Sequence, residues 1–235
     1  MFGGGSIRLA RIFGIRIGVD LSWFFVLFLI IWSLSDEFQN LFPGQDSKAF
    51  ALAVVTALLF FLSILLHELG HAVVAIRNGI PILGIDLWLF GGVAKLGRDT
   101  DSPGVEFRVA VAGPLVTAAI VLICFGVGTA LSDADTVLHL TRFQAVHMGG
   151  LVVVLSYLCT INFFVFFFNL IPGFPLDGGR IARAIAWKIT GDRYRATRFA
   201  ALLGRAAGWG MVAFGALILT GVLASDTFSG IWLIF

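Results

Sequence analysis

The apolar run from residue 49 to residue 76 can cross a hydrocarbon layer about 30 Å thick as one helix. Comparable runs occupy residues 17–35, 106–131, 150–171 and 199–224, and a sixth opens at Gly230 and stops at Phe235. Inside lipid every backbone N–H and C=O must be satisfied by the protein itself, so runs of this length are read as helices. The spacing predicts an all-α polytopic membrane protein with about six transmembrane helices, the sixth incomplete, in one domain over residues 1–235. Composition removes the aqueous alternative. With 59% of residues hydrophobic and 13% charged, one water-surrounded core could not hide the apolar surface. A net charge of +2 leaves no electrostatic footprint for nucleic acid. Cys124 and Cys159 sit inside apolar runs and read as small core residues rather than as a disulfide framework.

No small-x-small cleavage site follows the first apolar run, so that helix is expected to be retained. All basic residues except Lys48 and Arg142 fall in segments 1–16, 77–108 and 180–205, while the alternate connections carry Asp36, Glu37, Asp46, Asp133, Asp135 and Asp226. The excess of Lys and Arg on one side predicts a cytoplasmic N-terminus, with the second and fourth spans running inward. Two segments lack helical character. Residues 80–97 mix β-formers with Gly and Pro and read as strand–turn–strand, and residues 7–19 alternate Arg with Ile and read as a surface strand. Both form a small membrane-associated β-structure on the cytoplasmic side, where an open edge would accept another chain by strand addition. Gly204 and Gly208, four residues apart in the fifth span, read as a helix-packing pair.

The second span contains His67-Glu68-Leu69-Gly70-His71. Two His at i and i+4 lie on one helix face and can chelate one Zn²⁺, and Glu68 is placed to take a proton from water at that ion. Burying these groups for packing alone is costly: an acid in mid-span costs about 2.5–3.5 kcal/mol. His67 precedes Arg77 by ten residues, or roughly 15 Å of helix, which sets the group below the cytoplasmic surface. Two His leave a tetrahedral zinc short of a protein ligand. His139 and His147 fall in a connection on the opposite side and read as exposed. Asp177 is the better third ligand. It follows Asn169-Leu-Ile-Pro172-Gly-Phe-Pro175-Leu176 at the inner end of the fourth span, where Pro and Gly break the helix. Asn169 either hydrogen-bonds a substrate backbone or oxyanion, or caps the broken helix.

The pairing of His67-Glu68-Leu69-Gly70-His71 with Asn169-x-x-Pro172-x-x-x-Leu176-Asp177-Gly178 resembles the site-2 protease family of intramembrane zinc metalloproteases, peptidase family M50. Arg11-Ile-Phe-Gly-Ile and Phe90-Gly-Gly-Val-Ala are similar to prokaryotic members. The resemblance implies one zinc held by His67, His71 and Asp177, with Glu68 as general base. It implies substrate contacts at Asn169, Pro175, Gly91 and Gly92, the segment around the two glycines helping to present an unwound substrate strand. Its implied substrates are single-span membrane proteins of the anti-sigma-factor or signal-peptide-remnant kind, often trimmed first by a site-1 type protease, in a prokaryotic plasma membrane. Many six-span members continue into cytoplasmic CBS domains, and nothing in these residues corresponds to them. Rival readings are a metal transporter and a client-binding pseudoprotease. A transporter needs polar residues on several spans, which the third and fifth lack in their interiors, and a pseudoprotease is expected to lose Glu68 or a ligand.

Overall fold

The computed structural model describes residues 6–12, 14–88, 91–141 and 149–220. Its elements run β1 (Ile7–Ile12), β2 (Ile15–Val19), α1 (Leu21–Leu41), α2 (Asp46–Arg77), β3 (Ile82–Trp88), β4 (Gly91–Leu96), α3 (Pro103–Leu131), α4 (Ala134–Thr141), α5 (Gly150–Asn169), α6 (Asp177–Thr190) and α7 (Arg193–Leu219). Among the described residues, α1, α2, α3, α5 and α7 are long and apolar enough to cross a membrane. The incomplete run at Gly230–Phe235 lies outside the described residues, as do Phe90 and His147. The backbone forms two compact units, one of residues 1–100 and 111–167, the other of residues 101–110 and 168–235.

In the first unit the opening segment is a two-stranded hairpin rather than one strand. β1 and β2 pair antiparallel, with Gly14 at φ +78° in the connection. This moves the first span from residues 17–35 to residues 21–41. β2 consumes residues through Val19, and Asp20 caps the helix by accepting the Ser22 N–H at 2.9 Å. α2 has 32 residues, about 48 Å of helix, and exceeds the thickness of the hydrocarbon layer. It stops at Asn78 and Gly79, the latter at φ +73°, a conformation glycine adopts without steric penalty. Two helices between β2 and β3 return the chain to the same side, so these strands pair parallel. β3 and β4 then pair antiparallel, as strand–turn–strand predicts, giving the order β1-β2-β3-β4.

The sheet packs on α2 at the turn that carries the His pair. Ile15 and Ile85 pack with Leu69 and Ala72, and Val19 and Leu87 pack with Trp23 and Phe61. Asp86 ties the strands together. Arg16 of β2 donates to its Oδ1 and Oδ2 at 2.8 and 3.0 Å, and Lys95 of β4 approaches Oδ2 at 2.6 Å. Burial pushes the Asp86 carboxyl up, but hydrogen bonds from Lys95 and Ser6 and the charges of Arg16 and Lys95 outweigh it and hold it below the usual carboxylate range. A second core gathers Phe38, Leu41, Ala49, Ala53, Val137, Val153 and Tyr157 from α1, α2, α4 and α5. Cys124 and Cys159 are buried free thiols within a third cluster, as their apolar neighbours predict. Large apolar side chains cover the outer faces of the spans, including Leu122 at 71% and Phe164 at 62% exposure, a surface suited to lipid rather than water.

In the second unit, α6 is a separate helix that the low hydropathy of residues 177–190 conceals, and Asp177 opens it instead of closing the preceding span. Residues 170–176 lie tight against α6 and α7. A Cβ on Gly178 would overlap the carbonyls of Leu170 and Ile171, and one on Gly173 would lie 2.6 Å from Gly204 Cα. Gly204 thus packs against this loop, whereas a Cβ on Gly208 would meet nothing within 4 Å. The fully buried Glu106 accepts from Arg183 Nε of α6 at 2.6 Å, and the Arg183 guanidinium lies 5.5 Å from the Phe174 ring centroid. Asp192 caps α7 by accepting from the Tyr194 and Arg195 N–H groups at 2.8 and 3.1 Å.

Candidate metal centre

The 3.6-residue helical period puts His67 and His71 one turn apart on the same face of α2. Both imidazoles are buried, each 5% exposed, and their Nε2 atoms lie 3.1 Å apart. Two buried ring nitrogens converging on one small volume are what a shared cation requires. The space beside them comes from α3. A Cβ on Gly113 would overlap His71 Nε2 and lie 2.6 Å from His67 Nε2. The His67 ring is fixed from behind, with Nδ1 hydrogen-bonded to Thr117 Oγ1 at 2.8 Å.

Gly70, between the two His, serves the same packing. A Cβ there would lie 2.8 Å from Val116 Cγ2 and 3.0 Å from the Ala112 carbonyl oxygen. Its absence lets α2 and α3 approach closely enough for Gly113 and Thr117 to meet the imidazoles. Glu68 is half-buried and faces the sheet, where a Cβ on Gly92 of β4 would overlap Glu68 Cγ. Gly91 holds φ +123°, which an L side chain rarely adopts.

The structure therefore brings together His67, Glu68 and His71 with Gly92 in the first unit. It places Asp177 in the first turn of α6, Asn169 at the last residue of α5 and Pro175 in the exposed part of the intervening loop, all in the second unit. His139 is exposed on α4. Sequence reasoning did not single out Gly113 and Thr117. The available signal was a Gly and a Thr four residues apart in an apolar run, a pattern that ordinary helix packing also produces.

The residue types fit zinc. His67 and His71 offer the imidazoles of a catalytic zinc site, and Asp177 is of the carboxylate type that such a site takes as a third ligand while its fourth position stays open. Gly113 leaves unfilled, beside both Nε2 atoms, the volume that a Cβ would take.

Comparison with known proteins agrees with this chemistry. Residues 55–135 and 131–211 match the family described as Peptidase family M50. The protein sll0528 of Synechocystis sp. is 34% identical over 227 residues, covering 97% of this chain and 56% of that protein. Rip3 of Mycobacterium tuberculosis is 36% identical over 231 residues, covering 98% and 55% respectively. Both carry zinc metalloprotease in their names. The chain spans about half the length of the curated relatives it matches. Among solved structures, the site-2 protease from Methanocaldococcus jannaschii superposes with a TM-score of 0.54 at 32% identity, covering 98% of this chain and 93% of that one.

Proposed function

The chain belongs to peptidase family M50, and from that membership and the His67–Glu68–His71 turn with its buried His pair we propose that it is an intramembrane zinc metalloendopeptidase of the site-2 protease type. The observation that carries the reading is the pair of buried Nε2 atoms 3.1 Å apart, next to a carboxylate, on a helix long enough to span a bilayer. In this reading His67 and His71 bind one zinc through Nε2, and Asp177 supplies the third ligand. The zinc, when bound, would polarise the scissile carbonyl and acidify water at neutral pH.

The protein's own groups do the rest. Glu68 accepts the proton of the attacking water as its oxygen bonds to the carbonyl carbon, then delivers that proton to the amine nitrogen as the C–N bond breaks. Burial of the His pair limits water at the site and strengthens these electrostatic interactions. Asn169, with a half-buried amide at the end of α5, is assigned to the substrate backbone or the developing oxyanion, and Pro175 to substrate contact. Gly91 and Gly92 belong to the edge strand β4, whose unpaired side offers backbone hydrogen bonds to an unwound substrate segment.

The substrates proposed are single-span membrane proteins of the anti-sigma-factor or signal-peptide-remnant kind, cleaved within or near the span after an upstream site-1 type protease has acted. The Lys and Arg distribution supports a cytoplasmic N-terminus, and the membrane proposed is a prokaryotic plasma membrane. The test is cleavage of a membrane-span substrate in detergent or liposomes. Glu68→Gln should abolish cleavage while zinc stays bound. A Gln variant that cleaves as well as wild type refutes the role of Glu68.

A further inference from the structure

We propose that Thr117 is a positioning residue for the metal centre: it fixes the His67 ring so that Nε2, and not Nδ1, is the atom offered to the ion. The inference deepens the zinc reading and rests on it. A threonine in an apolar helix commonly donates its hydroxyl to the carbonyl four residues back. Thr117 makes that contact only at 3.4 Å, to Gly113 O, while its oxygen lies 2.8 Å from His67 Nδ1. In this proposal the Thr117 hydrogen goes to the Gly113 carbonyl, Oγ1 acts as an acceptor, and the imidazole supplies the hydrogen between them.

Nδ1 then carries the proton and Nε2 keeps its lone pair. That lone pair belongs to the nitrogen 3.1 Å from His71 Nε2, beside the space that Gly113 leaves open. Gly113 and Thr117 stand four residues apart on α3 and so share one face. One turn of helix thus performs two tasks: the glycine clears room for the ion, and the threonine sets the tautomer and orientation of a ligand. Thr117 is 1% exposed and His67 5%, so loss of the hydroxyl would remove a buried hydrogen bond from the ring. Partners of this kind behind a ligating His typically hold 10–100-fold in metal affinity.

The test compares wild type, Thr117→Val and Thr117→Ser as full chains in detergent. It reads the zinc affinity from competition with a chelator and the ligand-field spectrum after cobalt substitution. The valine keeps the volume and β-branching and removes only the hydroxyl. It should weaken zinc about 10–100-fold and shift the cobalt bands, while the serine variant matches wild type. A folded valine variant with wild-type affinity and spectrum overturns the proposal. Should the valine variant fail to fold, the serine variant decides: wild-type affinity and spectrum support the proposal, and metal loss as complete as in His71→Ala overturns it. Wild type that binds no zinc overturns the zinc reading itself, and is distinguished by appearing without any substitution.

Discussion

A methyl group at Gly92 would occupy the volume of Glu68 Cγ, so the smallest side-chain change in β4 reaches the proposed general base. Gly92→Ala should displace Glu68 or push the strand away while leaving the His pair in place. Misplacing a catalytic group by about 1 Å can lower the rate about 100-fold. A loss of cleavage near that size, with zinc content unchanged, is the expected result for Gly92→Ala. Full activity in the alanine variant would show that the strand and Glu68 are not in close register. The same contact marks the limit of sequence reading at this scale. The His-Glu-x-x-His spacing identifies its own three residues because the helical period alone brings them together. Nothing local links Gly92, Gly113 or Thr117 to them. Those approaches depend on Gly70 bringing α2 and α3 together and on β4 crossing Glu68, which are tertiary facts.

At the scale of elements, the sheet is held by Asp86 with Arg16 and Lys95 on the neighbouring strands. The Asp86 carboxyl is held below its usual range when folded, so its contribution to stability is present above about pH 4, the ordinary Asp value, and is lost as pH falls through the lower folded value. Asp86→Asn should therefore lower the melting temperature at pH 7, and the gap from wild type should close in acid. A gap that persists unchanged well below pH 4 would contradict the ion-pair account. The hairpin β1–β2, the short helix α4 and the separate helix α6 are elements whose form the sequence did not disclose. Residues 7–19 alternate apolar and basic side chains on both sides of Gly14, which fits one strand or two, and the pairing partner decides. In α6 the Gly178-Gly179 pair and the basic residues mask a helix that packs against α7 and the 170–176 loop. The strand–turn–strand at 80–97 was legible because β-formers mixed with Gly and Pro lack a helical period.

For the molecule as a whole, the apolar runs gave the five long helices, because spans of about 20 apolar residues have few other fates. Their ends moved where a strand or a cap takes over, as Asp20 does before α1. The charge asymmetry predicts that Lys48, in the first turn of α2, and Arg98, after β4, face opposite sides of the membrane. Cysteines introduced at these positions report this directly, since Cys124 and Cys159 are buried. Lys48→Cys in cells should react with a membrane-impermeant thiol reagent, and Arg98→Cys only after lysis. The reverse pattern would invert the proposed topology.

The proposed hydrolytic zinc of this membrane-spanning chain takes two imidazoles and one carboxylate as its ligands. The decisive experiment is metal analysis of the detergent-purified protein, wild type beside Asp177→Ala and His71→Ala. Wild type should carry about one zinc per chain, as one three-ligand site requires, and both variants should lose it wholly or in large part. A zinc-free wild type, or an Asp177→Ala variant that keeps its full complement, would contradict this ligand set.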